Sequence, residues 1–420
     1  MTFTSRIEVD LSAIEKNVGV VRSVVGPNVG LCAVMKADGY GLGAARVAKR
    51  LGPAGVNMFA VYTTEQACSL LDANLPGNAP VLVLTPLRDI ERNDPIYRAL
   101  QTERVHVTVH DIEHFESLLT IASSLGVRLH VHMEVDTGMS RGGMSPAEAS
   151  KLLERMATQP RVRLAGVFTH CASADCDPDQ TRRQADMFDR FLEQNRELLP
   201  DDCIIHQANT FGTFRAPRVH RSMVRVGLAL LGYAGEEFAD PANFQHAAAA
   251  EQLTPAVRWI SKLVQTKWIE PGTTVGYGGT WKAKRRTRLG LIPVGYADGY
   301  PLACSNRARV GVELAGGVRA YVPIVGRVSM DQVTVDLTDL PEVGIGVGSW
   351  VELVGNERGA PNHLPVLARH AGTITHELLC RFSQRLPRHY IASEEMRPDT
   401  SNDVVFAEKP AQKDANRAVG

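Results

Sequence analysis

The stretch CAVMKADGYGLG, residues 32–43, sets a lysine at the end of an apolar run. Cys32 to Met35 have the composition of a buried strand, and GAARVAKRLG (43–52) has the pattern of a helix. Lys36 is therefore placed at the C-terminal end of a strand, ahead of a turn containing Gly39, Gly41 and Gly43. In an α/β chain, groups that do chemistry collect at such ends. A strand-end lysine that only reaches solvent looks the same, so position alone leaves its role open.

Further apolar runs follow at 57–63, 80–85, 105–109, 128–135, 162–170, 203–209 and 223–232. Between them lie helix-like segments such as TEQACSLLDANL (64–75) and DQTRRQADMFDRFLEQNREL (179–198). Strands alternating with helices in this number are what a (β/α)8 TIM-type barrel requires. A doubly wound sheet alternates in the same way. The barrel reading puts Lys36, Asp136, His170, Asn209 and Arg225 at or near strand ends. After about residue 250 the texture changes to short strands and Gly-rich turns, with helical patterns rare until 364–380. The expected organisation is a barrel over 11–245, a mostly β domain formed by 1–10 and 246–392, and a disordered polar tail over 393–420.

Basic and acidic residues balance at 46 each, which gives no basic patch for a nucleic acid or an anionic membrane. No apolar run is long enough to span a bilayer, and the N-terminus does not read as a signal peptide. Seven scattered cysteines fit reduced thiols in the cytoplasm better than a disulfide framework. Cys171 and Cys176 follow His170, but their spacing is not that of a metal pair, so a structural role is expected and no metal.

A lysine amine at a strand end can form a Schiff base with an aldehyde cofactor, of which pyridoxal 5'-phosphate is the commonest. At this point the sequence resembles a known family. AVMKADGYGLG resembles the cofactor-lysine motif of the alanine racemase family. VDTGMSRGG (135–143), GVFTHCASAD (166–175), HQANT (206–210) and MVRVGLALLG (223–232) resemble its later motifs in family order. So do TVGYGGTWKA (274–283), IPVGYADGYP (292–301) and PIVGRVSMDQ (323–332). The series extends from RIEVDLSAI (6–14) to LPRHY (386–390).

The resemblance implies a pyridoxal-phosphate-dependent isomerase that interconverts L- and D-alanine, with serine or a broader substrate set as the nearest variant. It implies Lys36 and Tyr277 as two acid–base groups, with Tyr277 supplied across a homodimer interface. Arg225 would face the pyridine nitrogen, with His170 beside it. Tyr40, Asn209, Thr210, the backbone of Gly227 and Leu228, and His376 would belong to the cofactor site. Arg141, Met330, Asp331 and Tyr296 would meet the substrate. A D-alanine supply for cell-wall precursors is the family's suggested setting. The sequence departs from the family at Glu134, where a lysine that is often carbamylated is usual; the carboxylate either serves Arg141 in its place or points elsewhere. His376 replaces a tyrosine, and Ser329 a cysteine. A decarboxylase would need an acidic partner for the pyridine nitrogen, which Arg225 does not provide. A non-catalytic cofactor carrier would not need the second domain.

Overall fold

The computed structural model describes residues 4–392, apart from 74, 76 and 235–239. The tail expected to be disordered, 393–420, lies outside the described residues. The chain divides into two compact units, one of residues 10–256 and the other of residues up to 9 with those from 257 onward. The first strand, β1 (Arg6–Asp10), leads into a helix over Leu11–Val25. The Asp10 carboxylate caps that helix by accepting from Ser12 N and Ala13 N at 2.9 Å.

Eight parallel strands then close into a barrel. They are β2 (Gly30–Val34), β3 (Met58–Val61), β4 (Val81–Val83), β5 (Val105–Val109), β6 (Leu129–Glu134), β7 (Val162–Phe168), β8 (Ile204–His206) and β9 (Met223–Val226). Each lies inside an apolar run read from the sequence. Closure pairs β2 with β9, setting Cys32 opposite Arg225. The run at 223–232 yields a strand only as far as Val226; a 3-10 turn over Leu228–Leu231 follows. The buried Asn17 side chain holds that turn against the first helix. Its Nδ2 donates to Leu230 O (3.1 Å) and Thr254 O (2.8 Å), and its Oδ1 accepts from Thr254 N (2.7 Å).

The barrel interior has two characters. Cys32, Met58, Ala60, Leu82 and Met223 form an apolar cluster, with Val34, Leu84 and Ile204 against it. The rows in step with them on β5, β6, β8 and β9 carry His106, His130, His132, His206 and Arg225, all buried. Period-two alternation along each strand thus sends a polar set inward as readily as an apolar one.

The second unit is mostly β. Its strands are β10 (Val257–Lys262), β11 (Gln265–Ile269), β12 (Thr274–Val275), β13 (Trp281–Lys282), β14 (Thr287–Ile292), β15 (Arg309–Glu313), β16 (Arg319–Pro323), β17 (Val333–Asp336), β18 (Trp350–Val354) and β19 (Arg388–Ile391). A six-stranded sheet runs β16-β15-β18-β10-β1-β19, a three-stranded sheet β11-β14-β17, and β12 and β13 form a hairpin. The apolar stretch AVRWISKLVQTKWI (256–269) breaks at Leu263 into strands of two different sheets. Trp259, fully buried, meets Tyr300 and Phe382 edge-on and donates from Nε1 to Ser5 Oγ at 3.0 Å.

Across the six-stranded sheet runs a ladder of charge. Arg258 bridges Glu8 (3.0 Å) and Glu352 (2.7 Å), Arg6 pairs with Glu8 (2.8 Å), and Arg319 with Glu352 (3.1 Å). Both glutamates are buried and each serves two arginines, so removing one strands cations that have little water to turn to. Glu352→Ala is expected to lower stability by about 3 kcal/mol in urea titrations. A loss under about 1 kcal/mol would mean that the ladder behaves as a set of exposed ion pairs.

Candidate active site

The chain leaves β2 through Lys36 and turns at once into an unusual conformation. Ala37, Asp38, Gly39 and Tyr40 all adopt left-handed helical angles, with φ between 52° and 61°. For the three residues with a Cβ this costs about 1–2 kcal/mol each. Backbone bonds hold the turn, from Gly39 N to Met35 O (3.0 Å) and Gly43 N to Asp38 O (3.0 Å). The Asp38 carboxylate fastens it to the next helix by accepting from Ala44 N at 2.8 Å. The result is that Tyr40 turns back into the barrel end and is buried while Lys36 stays accessible. Strain concentrated beside one lysine is the kind of outlier that marks a functional segment.

Tyr40 comes to rest on Gly227, where a Cβ would stand 2.0 Å from its hydroxyl oxygen. Any side chain at 227 would fill the space under that hydroxyl. The amides of Gly227 and Ala229 converge on Thr210 Oγ1 at 3.3 and 3.4 Å. Asn209 caps the helix Thr210–Arg215 by accepting from Gly212 N (2.9 Å), and its Nδ2 donates to Cys171 O (3.3 Å). Asn209 thus sets the entry of that helix, which holds Thr210 in place. Converging amides, two hydroxyls and a bare glycine make a cradle that fits a phosphate. Leu228 begins the 3-10 turn; the amide that joins Gly227 at the Thr210 hydroxyl is that of Ala229.

Beside the cradle lies Arg225, a buried guanidinium with no carboxylate among its hydrogen-bond partners in the described residues. NH1 donates to His206 Nδ1 (2.8 Å); NH2 donates to Thr169 O (3.0 Å) and His170 Nδ1 (3.2 Å), with Gln207 O further off at 3.5 Å. Phe168 lies under the guanidinium, its ring centroid 5.0 Å from Cζ, and stacks on His206. Burial, then the positive charges of Arg225, Arg141 and Lys36, pull His170 down to about 3. Three cations that act on one imidazole define a strongly positive barrel mouth, suited to an anionic cofactor and an anionic substrate group.

Glu134 does not pair with Arg141 among the described residues. Its Oε2 lies 2.7 Å from His110 Nδ1, and His110 Nε2 lies 3.0 Å from Leu84 O. A carbonyl only accepts, so Nε2 is the donor to Leu84 O. The carboxylate is thereby matched within the barrel rather than by the 135–143 loop. That loop folds over it closely: a Cβ at Gly143 would meet Glu134 Cγ and its carbonyl oxygen at 2.8 Å. Asp136 serves the loop itself, its carboxylate accepting from the amides of Gly138, Met139 and Ser140. Cys171 is buried, and no group of His, Cys, Asp and Glu among the described residues is arranged to hold a metal.

The remaining sequence-predicted residues lie in the second unit. Tyr277 opens a one-turn 3-10 helix between β12 and β13 and is 72% exposed. The Tyr296 and Ala297 amides donate to Ser329 O and Met330 O, both at 3.0 Å, which brings Tyr296, Met330 and Asp331 to one place. Gly295 makes this approach possible, since a Cβ there would lie 2.2 Å from both carbonyl oxygens. Asp331 is fixed by Arg385 (2.6 Å), which also holds Asp298 (2.6 Å). His376 is half-buried in the helix Thr375–Arg381. No helix among the described residues is long and apolar enough to cross a membrane.

Sequence reading passed over His106, His110, His130, His132, His206 and Arg385. One signal was available for the histidines: His130 and His132 recur with period two in a buried strand, which places both on one inward row.

The barrel, the strand-end lysine and the anion cradle define a pyridoxal-phosphate enzyme with a mostly β second unit. Residues 9–235 match the family model of the alanine racemase N-terminal domain, and residues 256–390 that of the alanine racemase C-terminal domain. The alanine racemase of Halothermothrix orenii is 35% identical over 384 residues, covering 91% of this chain and 96% of that protein. The crystal structure of alanine racemase from Streptomyces lavendulae superposes with a TM-score of 0.81 at 29% identity, covering 93% of this chain and 98% of the other. That from Bartonella henselae, with covalently bound pyridoxal phosphate, has a TM-score of 0.77 at 28% identity, covering 93% and 100%. The chain belongs to the alanine racemase family. It is an isomerase, an amino-acid racemase, and its cofactor is pyridoxal phosphate.

Burial also pulls His106 down to about 3. Burial, with neighbouring positive charge, holds His132 and His206 well below the usual histidine range. In the unfolded chain each would titrate near 6.5. A depressed folded value means that the unfolded state binds more protons as pH falls. Stability is therefore full above about pH 6.5 and is lost between there and about pH 3. The urea midpoint is expected to be flat from pH 7 to 8 and to fall steadily from pH 6.5 to 4.5. A midpoint that rose on acidification would contradict neutral, buried imidazoles.

Proposed function

We propose that this protein interconverts L- and D-alanine by a two-base mechanism in which Lys36 and Tyr277 work on opposite faces of the substrate, within a homodimer. The observation that carries the reading is the strained Lys36–Tyr40 turn seated on the Gly227 cradle, beside a buried arginine with no acidic hydrogen-bond partner among the described residues. Lys36 would hold the cofactor's aldehyde carbon through its amine. Tyr40, Thr210 and the amides of Gly227, Leu228 and Ala229 would bind its phosphate. Arg225 would face the ring nitrogen, kept in place by His170 and His206. Asn209 would support Thr210 through its helix cap.

Bound pyridoxal phosphate withdraws electrons from the Cα of an attached amino acid and so makes its hydrogen acidic. Arg225 holds its own proton at neutral pH and donates a hydrogen bond without surrendering it. Facing the ring nitrogen, Arg225 would offer it a hydrogen bond but no proton, which would favour return of the proton to Cα over other outcomes. Once the substrate's own amine has displaced it from the aldehyde carbon, the freed Lys36 amine would take or give the Cα proton on one face, and the Tyr277 hydroxyl would do so on the other. Two groups on opposite faces invert the centre without rotating the substrate. Tyr277 is supplied by the second subunit, which agrees with its exposure within one chain. The family resemblance assigns Arg141 and the Met330 backbone to the substrate carboxylate; Tyr296 and Asp331 lie beside Met330, and Arg385 holds Asp331. The setting is cytoplasmic supply of D-alanine for cell-wall precursors.

The holoenzyme is incubated in D2O with L-alanine, L-serine and larger L-amino acids. Chiral chromatography with mass detection reads both D-isomer and deuterium at Cα. Fast formation of deuterated D-alanine is expected, and Tyr277→Phe should lower it by about a hundredfold or more. A preference for serine or larger substrates would mean that the changes at 134 and 376 have re-tuned the site. No exchange at Cα with any amino acid would bring the cofactor-carrier reading forward, and full activity in Tyr277→Phe would end the two-base assignment.

A further inference from the structure

Arg225 is not held by an isolated histidine. His206 Nε2 lies 2.8 Å from His132 Nδ1, His132 Nε2 lies 2.9 Å from His106 Nδ1, and His106 Nε2 lies 3.3 Å from His130 Nδ1. The His130 Nε2 faces the half-exposed Glu103 carboxylate at 3.4 Å. An unbroken file of imidazoles therefore runs through the barrel interior from Arg225 to an acidic surface residue.

The protons of this file are fixed by its upper end. A guanidinium has only donors, so His206 Nδ1 must accept and its Nε2 must carry the hydrogen. That N–H donates to His132 Nδ1, which obliges His132 to carry its own hydrogen on Nε2. The same step repeats at His106 and at His130, and the last N–H meets a carboxylate, which only accepts. Every ring is the neutral Nε2–H tautomer, every donor has an acceptor, and no proton is left over. All the ring dipoles point one way, with their negative ends toward Arg225. Arg225 does not surrender its proton, so the file cannot run as a proton conduit; it is locked in one sense.

The barrel is shaped to let this file through. His132 stands on β6 and His206 on β8, with β7 between them. The residue of β7 at the crossing is Gly166, where a Cβ would lie 2.3 Å from His132 Nδ1. The pairing of β6 with β7 slips in register between Val131 and His132, immediately at this crossing. At the lower end Arg163 and Arg128 act on His130 along with Glu103 and Asp202.

We propose that His206, His132, His106 and His130 are positioning residues for Arg225: a one-way file of neutral imidazoles that orients the guanidinium and stabilises its charge in place of a buried carboxylate. Aligned hydrogen bonds in a low-dielectric interior strengthen one another, so a break at His106, two rings away, is felt at Arg225. The functional consequence rests on the reading of Arg225 as the residue facing the cofactor's ring nitrogen; the proton arrangement does not.

The test uses holoenzyme with 15N-labelled histidine, compared as wild type, His106→Leu and His106→Gln. Leucine has no polar atom at this point. Glutamine can accept from His132 and donate toward His130. In the wild type, the four rings are expected to show the neutral Nε2–H pattern by 15N NMR. His106→Leu should shift the His206 nitrogens and lower kcat for L-alanine by about tenfold with KM little changed. His106→Gln should restore most of both. A wild-type ring found as imidazolium or as the Nδ1–H tautomer would overturn the proposal, even if no variant folds. So would a leucine variant with unmoved His206 signals, or a glutamine variant as impaired as leucine, which would reduce the effect to packing. Absence of any racemisation by the wild type would instead sink the functional reading and leave the NMR result standing.

Discussion

A buried guanidinium that, among the described residues, has no carboxylate as a hydrogen-bond partner is the constraint on which much of the barrel interior is built. An unmatched cation in a protein interior is costly, and the usual remedy is an acidic partner. Arg225 is matched instead by imidazole nitrogens and main-chain carbonyls. These accept hydrogen bonds without cancelling the charge. The arrangement keeps a full positive charge at the barrel mouth, where Lys36 and Arg141 add to it. A buried aspartate beside Arg225 would have given a more conventional ion pair and a less positive site.

Much of the surrounding structure follows from that choice. Four histidines in hydrogen-bonding file run through the barrel interior, beside an apolar cluster of Cys32, Met58, Ala60, Leu82 and Met223. Gly166 surrenders its side chain so that two rings can meet across β7. Gly227 does the same so that the Tyr40 hydroxyl can lie against its backbone. The left-handed turn after Lys36 spends conformational energy to aim Tyr40 there. The proposed chemistry needs an anion site, a strand-end amine and an undiminished cation close together, and these local costs support that combination.

The positions of the eight barrel strands could be read from the apolar runs, because strands buried on both faces leave continuous hydrophobic stretches. Lys36, Arg225 and Thr210 stood out in motifs, because each sits near or just past a strand end in a short, distinctive context. The end of β9 at Val226 was not legible, since GLALLG continues the same apolar composition and only the backbone at Gly227 ends the strand. The partner of Glu134 was not legible either. It is His110 on the segment after β5, a neighbour created by barrel closure and invisible to local spacing. The imidazole file was hidden for the same reason. Its members come from three strands, and hydrophobic patterning treats an inward histidine as an interruption rather than as part of a core.

The most direct measurement is the 15N NMR shift of the ring nitrogen in holoenzyme carrying 15N-labelled pyridoxal phosphate. An arginine that keeps its proton predicts an unprotonated, hydrogen-bonded ring nitrogen at neutral pH. A pyridinium shift would mean that the ring has taken a proton, and that the buried cation does not do what this structure suggests.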